Sequence, residues 1–426
     1  MAMKIEIEEK QIEAPYELPE GWKWCRLGEV ADWGSGGTPS RKNPEYYQGS
    51  IPWIKTGELN ETYIFDSEEK VSEDAIKHSS AKIFPKETVV MAMYGATIGK
   101  TAIFGIDAST NQACACAICH KELDNHFLFN FLKSKKDYFL YNAKGGAQPN
   151  ISQEIIKNTL IPLPPTLAEQ QRIVKRIESM FAKLDEAKEK AQNVVDSFET
   201  RKAAILHKAF TGELTAKWRK ENGVSDDSWV EKLFDSCIAK MQNGLSKRSG
   251  NEGEETVVLR LANMGEDDFD VSDLRTIKLT SKEKNNYSLA KNDVVMIRVN
   301  GSKTNVGRQL LVKNNKGWSF CDHIIRIQFE VFCLPNYMVY FSKTKEYIDY
   351  VQDNMVSSAG QNTISRKGLS NLSLKVPTLP EQQEIVRILE IIIEKENKAK
   401  QAAEAVLEQI DLLKKSILAR AFRGEL

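Results

Sequence analysis

The chain has no surplus of charge of either sign. Its 59 lysines and arginines are matched by 59 aspartates and glutamates. A protein that grips nucleic acid unaided usually carries a basic excess, so such a role here would need local basic loops or basic partners. No apolar run approaches the roughly 18 residues that span a bilayer, so no membrane partner is expected. The opening "MAMKIEIEEK" lacks the apolar stretch of a signal peptide. These absences point to the cytoplasm, where the seven cysteines would be reduced thiols. There are only five histidines in 426 residues. No Ser/His/Asp set and no paired-carboxylate arrangement declares itself.

What the chain does have, it has twice. "PTLAEQQRIVKRIE" at 165–178 returns as "PTLPEQQEIVRILE" at 377–390, and "AILHKAFTGEL" at 204–214 returns as "SILARAFRGEL" at 416–426. Both pairs lie 212 residues apart, and the two 50-residue blocks align without a gap at 22 identities. Each block reads as one long helix. Thr166 with Glu169, and Thr378 with Glu381, have the spacing of a capping box. Pro380 falls in the first turn, and Gly212 and Gly424 are matching stops. Apolar residues recur at four and three, from Ile173 through Phe198 and from Ile385 through Ile417, broken at Arg201 and Glu396. Heptads sustained over that length predict a coiled coil. At 1.5 Å per residue, each helix would be about 65 Å long.

The segments ahead of the helices also match, more faintly. "IFPKETVVM" at 83–91 resembles "SLAKNDVVM" at 288–296, and "GGAQPNIS" at 145–152 resembles "SAGQNTIS" at 358–365. Their runs are short and β-rich. The predicted order is a mixed α/β domain over 1–164, a helix over 165–214, a polar linker over 215–228 ("TAKWRKENGVSDDS"), a second such domain over 229–376, and a second helix over 377–426. A domain of that size is roughly 35–40 Å across. It cannot easily carry the chain back along the first helix, so the helices are expected to run antiparallel. The fold class is therefore α+β: two repeated globular domains joined by two long helices in an antiparallel coiled coil, with pseudo-two-fold symmetry.

Having two copies also tests the enzyme motifs. "MYGATIGKT" at 93–101 looks like a phosphate loop, but only three residues separate Gly95 from Gly99, where that motif needs four. Its second copy reads Val306-Gly307-Arg308-Gln309, without the lysine or the magnesium-binding hydroxyl. "CAICH" at 116–120 matches a haem-attachment pattern, and Cys114, Cys116 and Cys119 could be imagined around zinc. The second copy, "CDHIIRIQF", keeps the strand character and loses those cysteines. "NPEY" at 43–46 is close to an adenine-methyltransferase signature, with Glu45 in place of its second proline. None of these makes a catalytic set, and no cofactor or metal site is expected in this chain.

The stretches "LPEGWKWCRLGEV" at 18–30, "IPLPPTLAEQQRIVKRIE" at 161–178 and "KAFTGELTAKWR" at 208–219, with their second copies, resemble the specificity (S) subunit of type I restriction-modification systems. The resemblance covers nearly the whole chain. It implies two target recognition domains, each reading one half of a bipartite site in double-stranded DNA. The helices would set the unread spacer and dock two methyltransferase (M) subunits. It also implies restriction (R) subunits. S-adenosylmethionine, ATP and magnesium would be bound by those partners, so this subunit would not itself be an enzyme. A coiled-coil assembly scaffold whose globular domains bind protein is the alternative.

Candidate DNA-binding residues are the polar, Gly-rich loops found in both copies, because glycine permits close backbone approach and Arg, Lys, Asn and Gln read base edges. In the first domain they are Gly36, Gly37, Thr38, Pro39, Ser40, Arg41 and Lys42, then Tyr94, Thr97 and Lys100, then Gln148 and Asn150. In the second they are Asn243, Ser246, Lys247 and Arg248, then Arg298, Asn300, Ser302, Lys303 and Arg308, then Gln361 and Asn362. Lys100 and Arg308, each following a glycine, are expected to face DNA.

Overall fold

A computed structural model describes residues 15–146, 149–314 and 316–426. The chain divides into two compact units. One contains residues up to Gln192 together with Ala405–Leu426, and the other contains Asn193–Glu404. Each unit is therefore a globular domain, the start of the helix that follows it, and the end of the other repeat's helix. Among the described residues no helix is long and apolar enough to cross a membrane.

In the first unit the main sheet runs in the order Ala31–Ser35, Cys114–Cys119, Val89–Ala92, Thr101–Phe104, Tyr63–Ile64. All pairings but the last are antiparallel. Strands of small and β-branched residues suit its buried centre, where Val89, Val90, Met91 and Ala92 are all fully enclosed. A second sheet, ordered Glu69–Val71, Ile51–Ile54, Ala108–Thr110, Ile83–Phe84, shares the apolar layer of Ile54, Phe84, Val90 and Phe104. The second unit repeats the plan. Its main sheet is Ile238–Asn243, Ile324–Phe329, Val294–Ile297, Gln309–Leu311, and its second is Thr276–Leu279, Glu254–Leu259, Ser319–Phe320.

The repeated helix motifs are what close each core. In the first unit Leu418, Ala421 and Phe422 pack with Ile173, Val174 and Ile177 against the domain. The Phe422 ring meets Phe127 and Phe131 edge-on at 5.1 and 5.2 Å. In the second unit Leu206 and Ala209 pack with Ile385, Val386 and Leu389. There Phe210 lies 4.9 Å from Tyr337 and 5.5 Å from Phe341. Inside each unit the two helical segments run antiparallel. Lys188 pairs with Asp411 and Asp185 with Lys414 in one, and Arg201 pairs with Glu396 at 2.8 Å in the other. Arg201 and Glu396, which break the two heptad runs, are thus each other's partner.

The first glutamine of each Glu-Gln-Gln triplet fastens a helix start to its own domain. Buried Gln170 accepts from the Asp124 amide and donates to the Glu122 carbonyl, both at 2.8 Å. Buried Gln382 accepts from the Leu334 amide and donates to the Phe332 carbonyl, again at 2.8 Å. A side-chain amide offers one acceptor and two donors on a fixed plane, so it can satisfy a loop's N–H and C=O together.

Three expectations change. The first helix is two segments, Leu167–Asp196 and Phe198–Phe210, with Ser197 between them, whereas the second runs unbroken over Leu379–Phe422. Arg201 accounts for the interruption: its guanidinium turns back to the Val194 carbonyl at 3.2 Å while also holding Glu396. Neither capping box closes as expected, because both glutamates turn to other partners. Thr166 accepts from the Glu169 amide at 3.2 Å, but the Glu169 carboxylate pairs with Arg172. The counterpart Glu381 is fully buried and accepts from Thr215, Arg219 and Trp229 at 2.7, 2.6 and 3.1 Å. The stretch 215–228 is consequently no loose linker. Ala216–Asn222 is helical and is pinned by Arg219, which also holds Asp226 at 2.8 Å.

Breaking a buried ion pair strands a charge in a low dielectric, at about 3–5 kcal/mol, whereas an exposed pair is worth about 0–1 kcal/mol. Glu381→Ala is therefore expected to lower unfolding free energy by several kcal/mol and to lose hydrogen-exchange protection over Ala216–Asn222. Glu169→Ala, at the matching place in the other repeat, should leave denaturant unfolding nearly unchanged.

Candidate nucleic-acid interface

Both main sheets present their variable loops along one edge. In the first unit strands Ala31–Ser35 and Val89–Ala92 end there, and Thr101–Phe104 and Cys114–Cys119 begin there. Backbone bonds fasten the loops to one another. The Gly37 amide donates to Thr110 at 2.9 Å, Met93 to Ala113 at 2.8 Å, and Gly95 to Pro149 at 2.8 Å, while Tyr94 bridges to Asn150. Thr38 adds a side-chain bond to Gln112. The second unit builds the same edge. Gly244 donates to Ile324 at 3.1 Å, Arg298 donates to His323 at 2.8 Å, and Val299 and Asn300 lie opposite Thr363 and Asn362 in a short ladder. Residues remote in sequence, such as Thr38, Tyr94, Thr97 and Asn150, or Arg248, Arg298, Asn300 and Gln361, are thus gathered on one surface in each unit.

Most of the expected contact residues are open to solvent there. Thr38, Ser40, Arg41, Lys42, Tyr94 and Asn150 are exposed in the first unit, as are Asn243, Ser246, Arg248, Ser302, Lys303 and Gln361 in the second. Thr97 is half-buried, its hydroxyl donating to the Tyr94 carbonyl at 2.8 Å. Lys247 is also half-buried and pairs with Glu283. Gln148 lies outside the described residues.

Five assignments are corrected by the packing. Gly36, Gly37 and Pro39 are buried. A Cβ on Gly36 would sit 2.0 Å from the Thr110 carbonyl oxygen, and one on Gly37 2.5 Å from the Ser80 carbonyl carbon. These glycines admit the protein's own backbone. Asn362 is buried too, its amide spent on the Gly301 carbonyl at 2.8 Å and its oxygen on Ser357. Arg308 is half-buried and donates to the Met264 carbonyl. It lines a cavity of about 390 Å³ that it shares with Lys202, Lys343 and the acids Glu266 and Asp267. Burial pushes its guanidinium below its ordinary range. Lys100, in the first unit, has a similar setting. Burial acts to raise the nearby Glu61 carboxyl, but Lys133, then Lys136 and Lys100, hold it below its usual value. In each repeat the cation after the glycine therefore has an acid nearby, Glu61 for Lys100 and Glu266 with Asp267 for Arg308.

The geometry also disposes of the enzyme motifs. "MYGATIGKT" joins two antiparallel strands, so no helix follows it to aim N–H groups at a phosphate. Its amides are already used: Gly99 donates to Ala92 and Lys100 to Thr97, at 3.0 and 2.9 Å. Cys114 and Cys116 pack into one side of their strand with Ile54 and Phe104, while Cys119 packs into the opposite side. Three thiols split across a sheet cannot share a metal. Burial also pushes the Cys116 and Cys119 thiols up to about 12, so both stay protonated. In "NPEY", Pro44–Tyr47 is a single 3-10 turn whose Tyr47 hydroxyl donates to the Pro39 carbonyl at 2.7 Å.

Sequence reading missed several residues on this surface. Arg260 and Arg275 join Lys247, Arg248 and His323 around a cavity of about 260 Å³. Neither arginine lies in a Gly-rich loop, and only the strand pairing places them. Tyr141, 89% exposed, closes the helix just ahead of the Lys144–Asn150 bridge.

A family model described as "Type I restriction modification DNA specificity domain" matches residues 19–196 and again 237–409. The chain belongs to this family. Its relatives include the StySPI specificity subunit of Salmonella potsdam, 30% identical over 96% of this chain and 90% of that protein. The EcoKI specificity subunit of Escherichia coli K12 is 27% identical over the same shares. Among solved structures, the HsdS subunit of Thermoanaerobacter tengcongensis has the same fold, with a TM-score of 0.65 at 21% identity over 97% of this chain and 100% of that one. A chain solved in work on complex assembly and conformational transition of the type I R-M system superposes with a TM-score of 0.70 at 20% identity, over 97% and 100%. The two family matches fall on the two sheet-and-loop domains, each together with much of the long helix that follows it.

Gly36 tests the division between packing and reading. Forcing a side chain into a tight interior costs about 1–3 kcal/mol. Gly36→Ala should lower the melting temperature, whereas Lys42→Ala, exposed on the same loop, should leave it unchanged and weaken DNA binding instead.

Proposed function

We propose that the loop edge of each unit reads one half of a bipartite site in double-stranded DNA, and that the long helices set the spacer between the halves. The chain is a DNA-recognition subunit of a type I restriction-modification system and not its enzyme. The observation that carries the finer reading is the duplicated edge. The same four strand ends carry loops in both units, with Thr38, Tyr94 and Asn150 on one and Arg248, Arg298 and Gln361 on the other. One scaffold bearing two sets of side chains suits two different half-sites, since base edges are distinguished by donor and acceptor pattern.

The working assembly pairs this subunit with two methyltransferase subunits and with restriction subunits, in the cytoplasm. S-adenosylmethionine, ATP and magnesium belong to those partners on this reading. The partners also explain how a chain of zero net charge holds a polyanion. Basic surface elsewhere in the complex shares the phosphate contacts, while this subunit supplies local ones.

The test is to express the chain with its methyltransferase subunit and map modified adenines across a genome. The expected result is one motif in two parts separated by a fixed number of unread bases. Equal binding to random duplexes, with no dependence on spacing, would favour the scaffold alternative. Inserting a heptad into both long helices should change the tolerated spacer and leave the letters of both half-sites as they were. Changed letters would overturn the spacer role.

A further inference from the structure

Three strands of the two second sheets can be aligned, and one aligned position reverses its charge. In the first unit Trp53 and Ile54 lie parallel to Ser109 and Thr110, and Trp53 is opposite Glu69. In the second, Val258 and Leu259 lie parallel to Ser319 and Phe320. There the Val258 amide donates to the Arg275 carbonyl at 2.9 Å, one step beyond the Val257–Thr276 pair. Val258 thus stands where Trp53 stands, and Arg275 where Glu69 stands. Two residues further on, Lys55 corresponds to Arg260. Arg41 and Arg248 each lie in the loop that leaves the first strand of the main sheet.

Both repeats therefore set cations on either side of one strand-start position. In the first unit that position neutralises them. Glu69 binds Arg41 at 2.6 Å and Lys55 at 3.0 Å, and Glu68 adds a second bond to Lys55. In the second unit the position is itself an arginine. Arg275 has no carboxylate partner among the described residues; its guanidinium donates to the Arg248 carbonyl. Arg248 and Arg260 keep one acid each, Asp322 and Asp273, both at 2.8 Å, and Lys247 keeps Glu283. The cavity wall itself carries Lys247, Arg248, Arg260, Arg275 and His323 and no acidic side chain, over a floor that includes Val258 and Ile277. His323 shares Asp322, its Nδ1 lying 3.1 Å from that carboxylate, so Arg275 is the wall cation left to take an anion from outside.

We propose that this recess of the second unit grips one backbone phosphate of the DNA beside the half-site that the unit reads, and that Arg275 is its central ligand. The proposal rests on the DNA-recognition reading above. Three guanidiniums suit a phosphate, which accepts paired N–H bonds on each face. A recess also suits a phosphate, which projects from the duplex, better than a base edge, which does not. The first unit, with Glu69 in the same place, has no such grip, so the two half-sites are held with different dependence on salt.

The experiment uses the complex with methyltransferase subunits and measures affinity for its own bipartite site and for unrelated duplex across a range of salt. Replacing one phosphate-binding cation should lower the magnitude of the slope of log affinity against log salt by about 1. Arg275→Ala and Arg275→Glu should both do so and should weaken binding to all duplexes alike. Arg275→Lys should retain most of the slope, and the methylated motif should keep its letters. Arg275 is exposed, so these variants are expected to fold. An unchanged slope in Arg275→Glu, with the normal complex still selecting its bipartite site, would overturn the phosphate grip and leave the recognition reading standing. Altered letters in one half-site would also overturn it, by making Arg275 a base reader. A normal complex with no sequence preference would remove the recognition reading, and this inference with it.

Discussion

Neither globular domain closes its core with its own repeat alone. The last turns of the opposite repeat's helix do it, through Leu418, Ala421 and Phe422 in one unit and Leu206, Ala209 and Phe210 in the other. A buried phenylalanine is worth about 3–5 kcal/mol against alanine, a large share of the stability of a domain this size. The chain thereby ties its two halves into one folding problem. The glutamine latches work in the same direction. Gln170 and Gln382 each fix a helix start to the loop that follows a strand of its own main sheet, Cys114–Cys119 or Ile324–Phe329, so the angle at which the helix leaves is set by a buried pair of hydrogen bonds. Domain and helix are in this way a single rigid piece within each unit.

That rigidity is what frees the loops. The loops sit at strand ends whose positions are already fixed by buried ladders and by glycines such as Gly36, where any side chain would collide with the Thr110 carbonyl. Exposed side chains on such a frame can change type without disturbing it. Thr38, Tyr94 and Asn150 on one edge and Arg248 and Gln361 on the other are that kind of change.

The helices, the duplication and the family resemblance were legible because they are periodic. Heptads, a 212-residue offset and paired Gly stops survive in a linear string. The breaks at Arg201 and Glu396 were visible as breaks, though not as partners, since a pairing across 195 residues has no local signature. The candidate loops were found by their glycines, and glycine is an ambiguous sign. At Gly36 and Gly37 it admits the protein's own backbone, not a ligand's. Asn362 and Arg308 misled for a related reason: both are polar residues beside turns, yet their polar atoms satisfy carbonyls of the same unit. Arg260 and Arg275 carried no turn signal at all. They are meaningful only through the register of a sheet, and register between strands 17 residues apart is not written in either strand.

Zero net charge is then a property to be explained locally. Helix faces alternate in sign and cancel, as Lys190 with Glu186 and Lys398 with Glu394 show. The cations most suggestive in sequence, Lys100 and Arg308, also have acids of their own unit nearby, Glu61 for the first and Glu266 with Asp267 for the second. A subunit that carries a strong field everywhere would attract any duplex and gain affinity without discrimination. A balanced overall charge keeps non-specific attraction weak and leaves selectivity to donor and acceptor geometry. The charge balance that first argued against a nucleic-acid role is therefore compatible with a reader that must pass over most of the sequence it meets.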